Sequence, residues 1–444
     1  MASRRALMLV AAASMASLAV ACTPDEGRDD AASTSPGADD APFDDPTPVT
    51  GGSDGSATDG ATGDPGEDAT GGTMGDATGG DTGGGPGGDP PPPSCETNLD
   101  PQLGALGVPG LSAGVVADGA LHCVATAGMA NIEAGLPVDP DVVFTWASVS
   151  KVVTATAVMV LVDDGAIALD DDVGSHLSFQ ARNPGCPAEP ITIRQLLTHT
   201  SSIVDDENLY DSLYTAGDSP LPLGTFTADY LDPGGEHYDA DTNFADDCPG
   251  ASVEYSNIAI GLLGTLVQQV SGLTFDAFCR QRIFDPLGMT ETSFHLANLD
   301  ETRVAMPYDG YAPDEFEAHG HFGFPTYPDG LLRTSVPHLA RFLAMTANFG
   351  EYDGQRILSI ASATEMRRVQ DPELDDTQAL GWYVDFDRRL LGHNGSDPGT
   401  SSVMFFDLQT GAGALLVANG DWYDEAGEAP EARALLLQLL SEVE

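Results

Sequence analysis

The sequence predicts an α+β fold, in which strands from both ends of the folded region form one antiparallel sheet and the middle is mostly helical. Residues 110–126 alternate in polarity and turn at Asp118-Gly119, which predicts a β-hairpin. Because the C-terminal part also contains strand-like segments, residues 165–330 are predicted to be a helical insertion between the two halves of the sheet. The predicted C-terminal elements are strands over 384–391, 401–408 and 412–418 and a helix over 430–443.

Residues 1–22 have the pattern of a bacterial export signal. Arg4 and Arg5 precede an apolar run, which ends at Ala21-Cys22 in a sequence that resembles a lipobox. In a lipobox the cysteine is lipidated and becomes the mature N-terminus. We therefore expect an extracytoplasmic protein that is attached to a membrane through Cys22. Ordinary cleavage near Ala21, which would release the protein, is the alternative.

Residues 23–94 are dominated by Gly, Asp, Pro and Thr and contain few large apolar side chains. Such a segment cannot offset the entropy cost of ordering, which predicts a disordered acidic tether. One folded domain is predicted to follow over residues 95–444. The chain has a formal net charge of −52, and most of this charge belongs to the folded domain. Binding to nucleic acid through its phosphates is thereby excluded.

Five cysteines follow the predicted lipobox. Cys279 falls in an amphipathic segment and is predicted to be a buried free thiol. Exported proteins can form disulfides, and our hypothesis pairs Cys95 with Cys123 and Cys186 with Cys248, although the sequence leaves the connectivity open. No cysteines and histidines have the spacing of a metal site, and we expect no cofactor.

The chain contains a single lysine, Lys151, which stands three residues after Ser148. Residues 148–162 are apolar almost all round, and this predicts a buried helix with the serine in its first turn. Side chains three residues apart share a helix face, so the lysine amine can reach the serine oxygen. A desolvated lysine can lose its proton and act as a base, whereas an arginine cannot. Because Ser-x-x-Lys also arises by chance, the pattern needs further elements to predict a nucleophilic centre.

Two further short motifs contain residues suited to such a centre. Tyr255 and Asn257 precede an apolar helical pattern over 258–270, where a phenol could relay protons and an amide could bind a substrate carbonyl. His393 and Gly395 enter a strand at whose edge a backbone amide could help to bind an oxyanion. Taken alone, the first motif is also explained as a loop ending in a helix cap, and the histidine as a structural residue.

Taken in this order, the three elements resemble the active-site motifs of the serine β-lactamase and penicillin-binding-protein family. The similarity covers about residues 105–440 and is to the branch that contains class C β-lactamases, D-alanyl-D-alanine carboxypeptidases, D-aminopeptidases and esterases. It implies a β-lactamase/transpeptidase-like fold. It also implies an acyl-enzyme at Ser148, with Lys151 and Tyr255 transferring protons. Asn257 would orient the substrate, and the amides of Ser148 and Ser396 would hold the oxyanion.

The sequence departs from the family pattern at positions that affect substrate choice. His393 stands where class C β-lactamases carry lysine. Because a histidine is only partly charged at pH 7, it is predicted to anchor a substrate carboxylate weakly and in a pH-dependent way. Ser202 and Leu331 each replace a glycine. His199, within a matching Leu-Leu-Thr-His-Thr-Ser segment, is expected to be structural.

The predicted function is hydrolysis of an ester, an amide or a D-amino-acid peptide by an extracytoplasmic serine hydrolase. β-Lactam hydrolysis is an alternative, but it requires a fast deacylation that no motif guarantees. A non-catalytic, envelope-binding lipoprotein of the same fold is the third alternative, and the retention of Ser148, Lys151, Tyr255 and Asn257 together argues against it. The expected partner is a small-molecule or peptide substrate. The sequence leaves the oligomeric state open.

Overall fold

The computed structural model of the protein describes residues 92–310, 315–385, 389–424 and 427–443. The predicted export signal, the Cys22 lipidation site and nearly all of the tether lie outside the described residues. The centre of the fold is a seven-stranded antiparallel sheet with strand order β4-β5-β6-β7-β1-β2-β3. Its strands are β1 (Gly110–Ala117), β2 (Ala120–Asn131), β3 (Leu136–Pro137), β4 (Tyr383–Asp385), β5 (Leu390–Asp397), β6 (Thr400–Asp407) and β7 (Gly413–Ala418).

Helices pack on both faces of this sheet. The helices predicted over 148–162, 258–270 and 430–443 correspond to α2, α6 and α10, with ends shifted by at most three residues. In the described residues the α-helices are α1 (Asp100–Leu106), α2 (Ser150–Asp163), α3 (Ile193–Leu197), α4 (Glu207–Ser212), α5 (Leu223–Leu231), α6 (Asn257–Ser271), α7 (Phe275–Cys279), α8 (Val336–Ala347), α9 (Ile360–Arg367) and α10 (Pro430–Leu440).

The hairpin β1–β2 confirms the turn predicted at Asp118-Gly119. Both turn residues have positive φ, 51° and 76°, which is the backbone form of a two-residue turn that matches the twist of the paired strands. The prediction of one strand over 384–391 is wrong, because these residues span the end of β4 and the start of β5. The segment contains no glycine, proline or asparagine, so its sequence carries no strong signal for the connection between two strands.

The two faces of the sheet contribute to two separate apolar cores. Along β1, Leu111, Ala113 and Val115 belong to the core that includes α1 and α10, whereas Val116 belongs to the core that includes α2 and α8. This alternation follows from the two-residue period of side chains along a strand. The layers are therefore α1 and α10 on one face, the sheet, and the remaining helical part on the other face.

Helix α2 runs through the larger core. Every residue from Ser150 to Leu161 is buried, which explains why this stretch of sequence is apolar almost all round. Thr154 Oγ1 donates to the Pro328 carbonyl at 2.7 Å, so its polar group is satisfied inside the core. Helix α6 packs against α2 and carries the Tyr255–Asn257 motif at its start.

Residues 165–330 contain α3 to α7 and several two-residue strands. Within the described part of the chain, no single helix is long and apolar enough to cross a membrane. Helix α6 together with Phe275–Phe284 has the length and composition of a span, but the two segments are bent by 73°, and α6 is buried along most of its length.

Two disulfides confirm the predicted pairing of cysteines. Cys95 is joined to Cys123 on β2, and Cys186 is joined to Cys248 across 62 residues of sequence. Cys279 is the buried free thiol that its position predicts. The sulfur atoms of the first disulfide lie close to a carboxylate oxygen of Glu442, but disulfide-bonded sulfur is not a thiolate ligand for a metal.

Replacing both Cys186 and Cys248 with serine is expected to lower the free energy of unfolding by about 2–5 kcal/mol, because the cross-link restricts a long loop in the unfolded chain. Denaturation monitored by tryptophan fluorescence measures the change. Cys279→Ala is the control, because it removes a buried thiol but no cross-link, and it is expected to cost less. Equal losses in the two variants would contradict a stabilising role for the disulfide.

Candidate active site

Ser148 lies in a single 3₁₀ turn that comes immediately before α2, rather than in the first turn of that helix. Ala147 has a positive φ of 45°, a strained conformation for a residue with a Cβ that costs of order 1–3 kcal/mol. The Trp146 carbonyl accepts a hydrogen bond from Ser402 Oγ of β6 at 2.7 Å. The sheet therefore helps to hold the turn that presents the serine.

Lys151 is completely buried, and its amine contacts three oxygen atoms. Nζ lies 2.9 Å from Ser148 Oγ, 2.7 Å from Asn257 Oδ1 and 2.9 Å from the Asp329 carbonyl oxygen. The amide and carbonyl oxygens can only accept, whereas the serine hydroxyl can donate. A neutral amine, with two N–H groups and one lone pair, can donate to both acceptors and take a proton from Ser148. This is the arrangement of a base beside a nucleophilic serine.

Tyr255 and Asn257 lie on either side of Ser256, which is the N-cap of α6. Ser256 Oγ accepts a hydrogen bond from the Ala259 amide at 2.9 Å, so the segment is a helix cap as well as part of the site. The Tyr255 ring centroid is 5.0 Å from Lys151 Nζ. Its buried phenol oxygen makes no hydrogen bond within the described chain. Asn257 thus contacts Lys151 directly, and the Tyr255 ring lies next to the lysine amine.

The third motif joins the first two through β5, which carries His393, Gly395 and Ser396. A Cβ on Gly395 would lie 2.8 Å from the Ser148 nitrogen and 2.7 Å from the Trp146 carbonyl oxygen. Only glycine allows the strand to approach the serine turn so closely. Strand β4 pairs with β5 only through residues 390–392. Beyond them, no described strand pairs with the outer edge of β5.

His393 is buried and neutral, which corrects the expectation that it is partly charged at pH 7. Nδ1 lies 2.5 Å from the Asn394 carbonyl oxygen, and because a carbonyl only accepts, Nδ1 carries the proton. Burial lowers the pKa of His393 to about 3, and the nearby Lys151 contributes to this shift. Nε2 then carries a lone pair, so the ring cannot donate a charged hydrogen bond to a substrate carboxylate.

His199 lies against the Tyr255 ring, with ring centroids 4.4 Å apart. Its Nδ1 accepts a hydrogen bond from the Ser256 amide at 3.2 Å. Burial lowers the pKa of His199 well below its usual value, so that nitrogen is free to accept. Ser202, which replaces a glycine of the family pattern, has a φ of 63°. That left-handed conformation favours glycine.

Two buried acids next to the site were not predicted from the sequence. Asp329, whose carbonyl contacts Lys151, accepts a hydrogen bond from the Tyr210 hydroxyl at 3.0 Å. Asp397 accepts one from the Tyr214 hydroxyl at 2.6 Å. Burial raises the pKa of both carboxyl groups to about 7, although Lys151 favours their ionised forms. Each acid therefore changes charge near neutral pH.

A third acid, Asp205, accepts hydrogen bonds from the segment that carries Tyr255 and Asn257, and burial raises its pKa. The chain contains 69 acidic residues, so residue type alone could not single out these acids. The usable signal was sequence position, and it applies to Asp397, which directly follows the predicted site residue Ser396.

The comparisons with known proteins agree with this geometry. A family model described as Beta-lactamase matches residues 96–438. The chain belongs to this family. The chain is also similar to penicillin-binding protein 4 of Amycolatopsis lactamdurans, with 32% identity over 326 residues, or 70% of this chain and 81% of that protein. The chain is accordingly an enzyme of the serine hydrolase class.

Similar solved structures confirm the predicted β-lactamase/transpeptidase-like fold. The octameric penicillin-binding protein homologue from Pyrococcus abyssi is 27% identical, with a TM-score of 0.60 that covers 76% of this chain and 75% of that one. A D-amino acid amidase from Ochrobactrum anthropi SV3 is 22% identical, with a TM-score of 0.59 that covers 77% of this chain and 96% of that one. At that identity the second similarity concerns the fold alone.

Asp397→Asn is expected to stabilise this beta-lactamase-family enzyme more at pH 8 than at pH 5. The carboxyl pKa is raised from 3.8 to about 7, so between these values the folded protein holds a proton that the unfolded chain has released. Stability therefore falls as the pH rises through this window. Asparagine stays neutral and can still accept the hydrogen bond from the Tyr214 hydroxyl, so the variant does not lose this stability as the pH rises.

Urea denaturation at the two pH values measures the free energies of unfolding for this comparison. Asp246→Asn, which neutralises an exposed acid, is the control. If the wild-type protein and Asp397→Asn showed the same pH dependence of stability, the buried acid would not have the raised pKa.

Proposed function

We propose that the enzyme hydrolyses neutral esters or amides through an acyl-enzyme on Ser148. The observation that carries this proposal is the 2.9 Å contact between Lys151 Nζ and Ser148 Oγ. The other two contacts of the amine are to acceptors, so in the neutral amine the lone pair can face the serine hydroxyl. An isolated serine is a weak nucleophile, and an adjacent base is what activates it.

In the first step Ser148 Oγ attacks the substrate carbonyl carbon while its proton passes to Lys151 Nζ. The tetrahedral adduct then breaks the bond to the leaving group, which takes up a proton from Lys151 with the help of the Tyr255 phenol. A water molecule then attacks the carbonyl carbon of the Ser148 ester. Hydrolysis of this ester releases the acid product and restores the serine hydroxyl. Tyr255 fits the relay because its buried phenol oxygen has no hydrogen-bond partner among the described residues.

The oxyanion that forms in each step needs fixed hydrogen-bond donors. We assign this role to the backbone amides of Ser148 and Ser396. The close approach of β5 at Gly395 supports the assignment, because it brings the two residues to adjoining positions. Asn257 uses Oδ1 to bind Lys151, which leaves its Nδ2 group to donate to a substrate carbonyl.

The charges around the site favour a substrate without a carboxylate. His393 is neutral, and the Arg333 guanidinium is buried, where it donates to the carbonyls of Phe294 and Phe322 at 2.9 and 2.6 Å. Three described acids, Asp205, Asp329 and Asp397, interact electrostatically with Lys151. In their ionised forms they would repel a substrate carboxylate. A substrate carboxylate would enter this surrounding with neither His393 nor Arg333 available as a charged partner.

Acylation by a penicillin is a second candidate activity, which the name of the 32% identical relative, penicillin-binding protein 4, favours. A penicillin carries a carboxylate, so the same charge argument predicts that it reacts slowly. The non-catalytic alternative is disfavoured, because the contacts of Lys151 serve the serine hydroxyl and the family is one of hydrolases.

We propose further that the reaction takes place outside the cytoplasm, with Cys22 as a lipid anchor and residues 23–94 as a tether. The sequence of residues 1–22 supports this location. Two disulfides, Cys95–Cys123 and Cys186–Cys248, also support it, because disulfides persist in oxidising compartments.

A fluorophosphonate is expected to add once to the protein, and the adduct should be absent from Ser148→Ala. Lys151→Arg keeps a positive charge but cannot accept a proton, so labelling is expected to slow by about 10²-fold or more. Intact mass spectrometry at a series of times measures both effects. Incubation with a penicillin on the same samples shows whether an adduct forms and whether it is then lost. Labelling of Ser148→Ala equal to that of the wild type would sink the proposed nucleophile.

An uncharged substrate is expected to be hydrolysed faster than its charged counterpart. The matched pair is methyl 3-acetoxybenzoate and 3-acetoxybenzoate. Both carry the same reacting acetate ester, and they differ in whether the carboxyl group at the meta position is a methyl ester or a free carboxylate. We expect kcat/KM to favour the methyl ester by about tenfold, a difference of about 1.4 kcal/mol. His393→Lys should narrow this ratio by supplying a cation. Equal or faster hydrolysis of the carboxylate by the wild type would contradict the preference.

A further inference from the structure

Asp205 makes three hydrogen bonds to one turn of the chain. Its Oδ1 accepts from Ser256 Oγ at 2.6 Å and from the Ile258 amide at 3.1 Å, and its Oδ2 accepts from the Asn257 amide at 2.7 Å. All three partners are donors, which is the environment of an ionised carboxylate. The carboxylate also lies at the N-terminus of the 15-residue helix α6, where the helix dipole favours a negative charge.

The loop that carries Asp205 contacts the same turn at further points. The His199 carbonyl accepts from the Glu254 amide at 2.7 Å, and its imidazole accepts from the Ser256 amide at 3.2 Å and stacks on Tyr255. The loop is itself anchored by a hydrogen bond from the Val204 amide to the Asn243 carbonyl at 3.0 Å. The turn is therefore held by several contacts to a loop that is itself hydrogen-bonded to the rest of the protein.

This loop is connected to the reacting groups through one residue. Asn257 receives the Asp205 contact on its backbone amide and binds Lys151 Nζ through its side chain at 2.7 Å. A shift of the turn would therefore move an acceptor of the catalytic amine. The buried carboxylate also interacts favourably with positive charge on Lys151, which forms when the amine takes the serine proton.

We propose that Asp205 is a positioning residue that fixes Tyr255 and Asn257 against Lys151, an inference that rests on the proposed function. It does not touch the reacting atoms of the substrate. Its removal is expected to reduce turnover more than substrate binding, because the geometry of the base is disturbed while the remainder of the site is retained. A displacement of about 1 Å in an active site can cost about 10²-fold in rate.

The neighbouring residue, Asp206, provides a matched control. It has the same side chain and also caps a helix, since its Oδ1 accepts from the Asn208 and Leu209 amides at 3.0 and 3.1 Å at the start of α4. It makes no side-chain hydrogen bond to the Tyr255–Asn257 turn. Asp205→Asn and Asp206→Asn therefore each remove one carboxylate from a helix start, and only the first affects the turn beside Lys151.

The test measures kcat and KM on methyl 3-acetoxybenzoate, together with hydrogen exchange of backbone amides, for the full-length wild type and both variants. Asp205→Asn is expected to lower kcat by about 10²-fold, to leave KM within about threefold, and to speed exchange at residues 256–259. Asp206→Asn is expected to leave kcat within about twofold and to speed exchange at 207–210 instead. Ser256→Ala, which removes one of the three contacts, should lower kcat by a smaller factor of about tenfold.

Two results would overturn the proposal. The first is a folded Asp205→Asn protein whose kcat stays within about threefold of wild type, and the second is unchanged exchange at residues 256–259. If Asp205→Asn does not fold, Ser256→Ala decides between the same outcomes. A wild-type protein that shows neither turnover nor fluorophosphonate labelling would instead contradict the proposed function, while the exchange data would still report on the Asp205 contacts.

Discussion

The buried amine of Lys151 has no carboxylate among its hydrogen-bond partners in the described residues, and it binds oxygen atoms from three separate parts of the chain. Ser148 comes from the turn before α2, Asn257 from the first position of α6, and the Asp329 carbonyl from a 3₁₀ turn at the end of the helical insertion. Loss of one partner would leave a buried polar group unsatisfied, at a cost of about 1–3 kcal/mol. The packing of α2 against α6 is thus constrained by the hydrogen bonds of Lys151.

Much of the fold followed from local signals in the sequence. The Asp118-Gly119 turn between alternating residues predicted the first hairpin, because glycine and aspartate tolerate positive φ at such a turn. The apolar character of the stretch that begins at Ser148 predicted a helix buried on all sides. The contact between Ser148 and Lys151 was predictable for the same reason, since both residues belong to one short stretch whose geometry is set by its own backbone.

Several features that depend on tertiary contacts were missed in the sequence. The prediction that His393 is partly charged was wrong, because its burial and its hydrogen bond to the Asn394 carbonyl arise only when β5 is packed. Asp205 and Asp206 are adjacent and chemically identical, yet one contacts the start of α6 from 51 residues away and the other caps the helix that follows it. The division of 384–391 between two strands was missed because the segment contains no glycine, proline or asparagine to mark the connection.

The presence of one lysine in a chain of 444 residues has a consequence for spectroscopy. Incorporation of ¹⁵N-labelled lysine would place the isotope at one side chain, and that side chain is the amine beside Ser148. The side-chain nitrogen would then give a single ammonium or amine resonance, and its ¹⁵N chemical shift reports whether Nζ is protonated. The rarity of the residue therefore makes proton transfer at this site observable without mutation, in the free enzyme and after an acyl group has been attached.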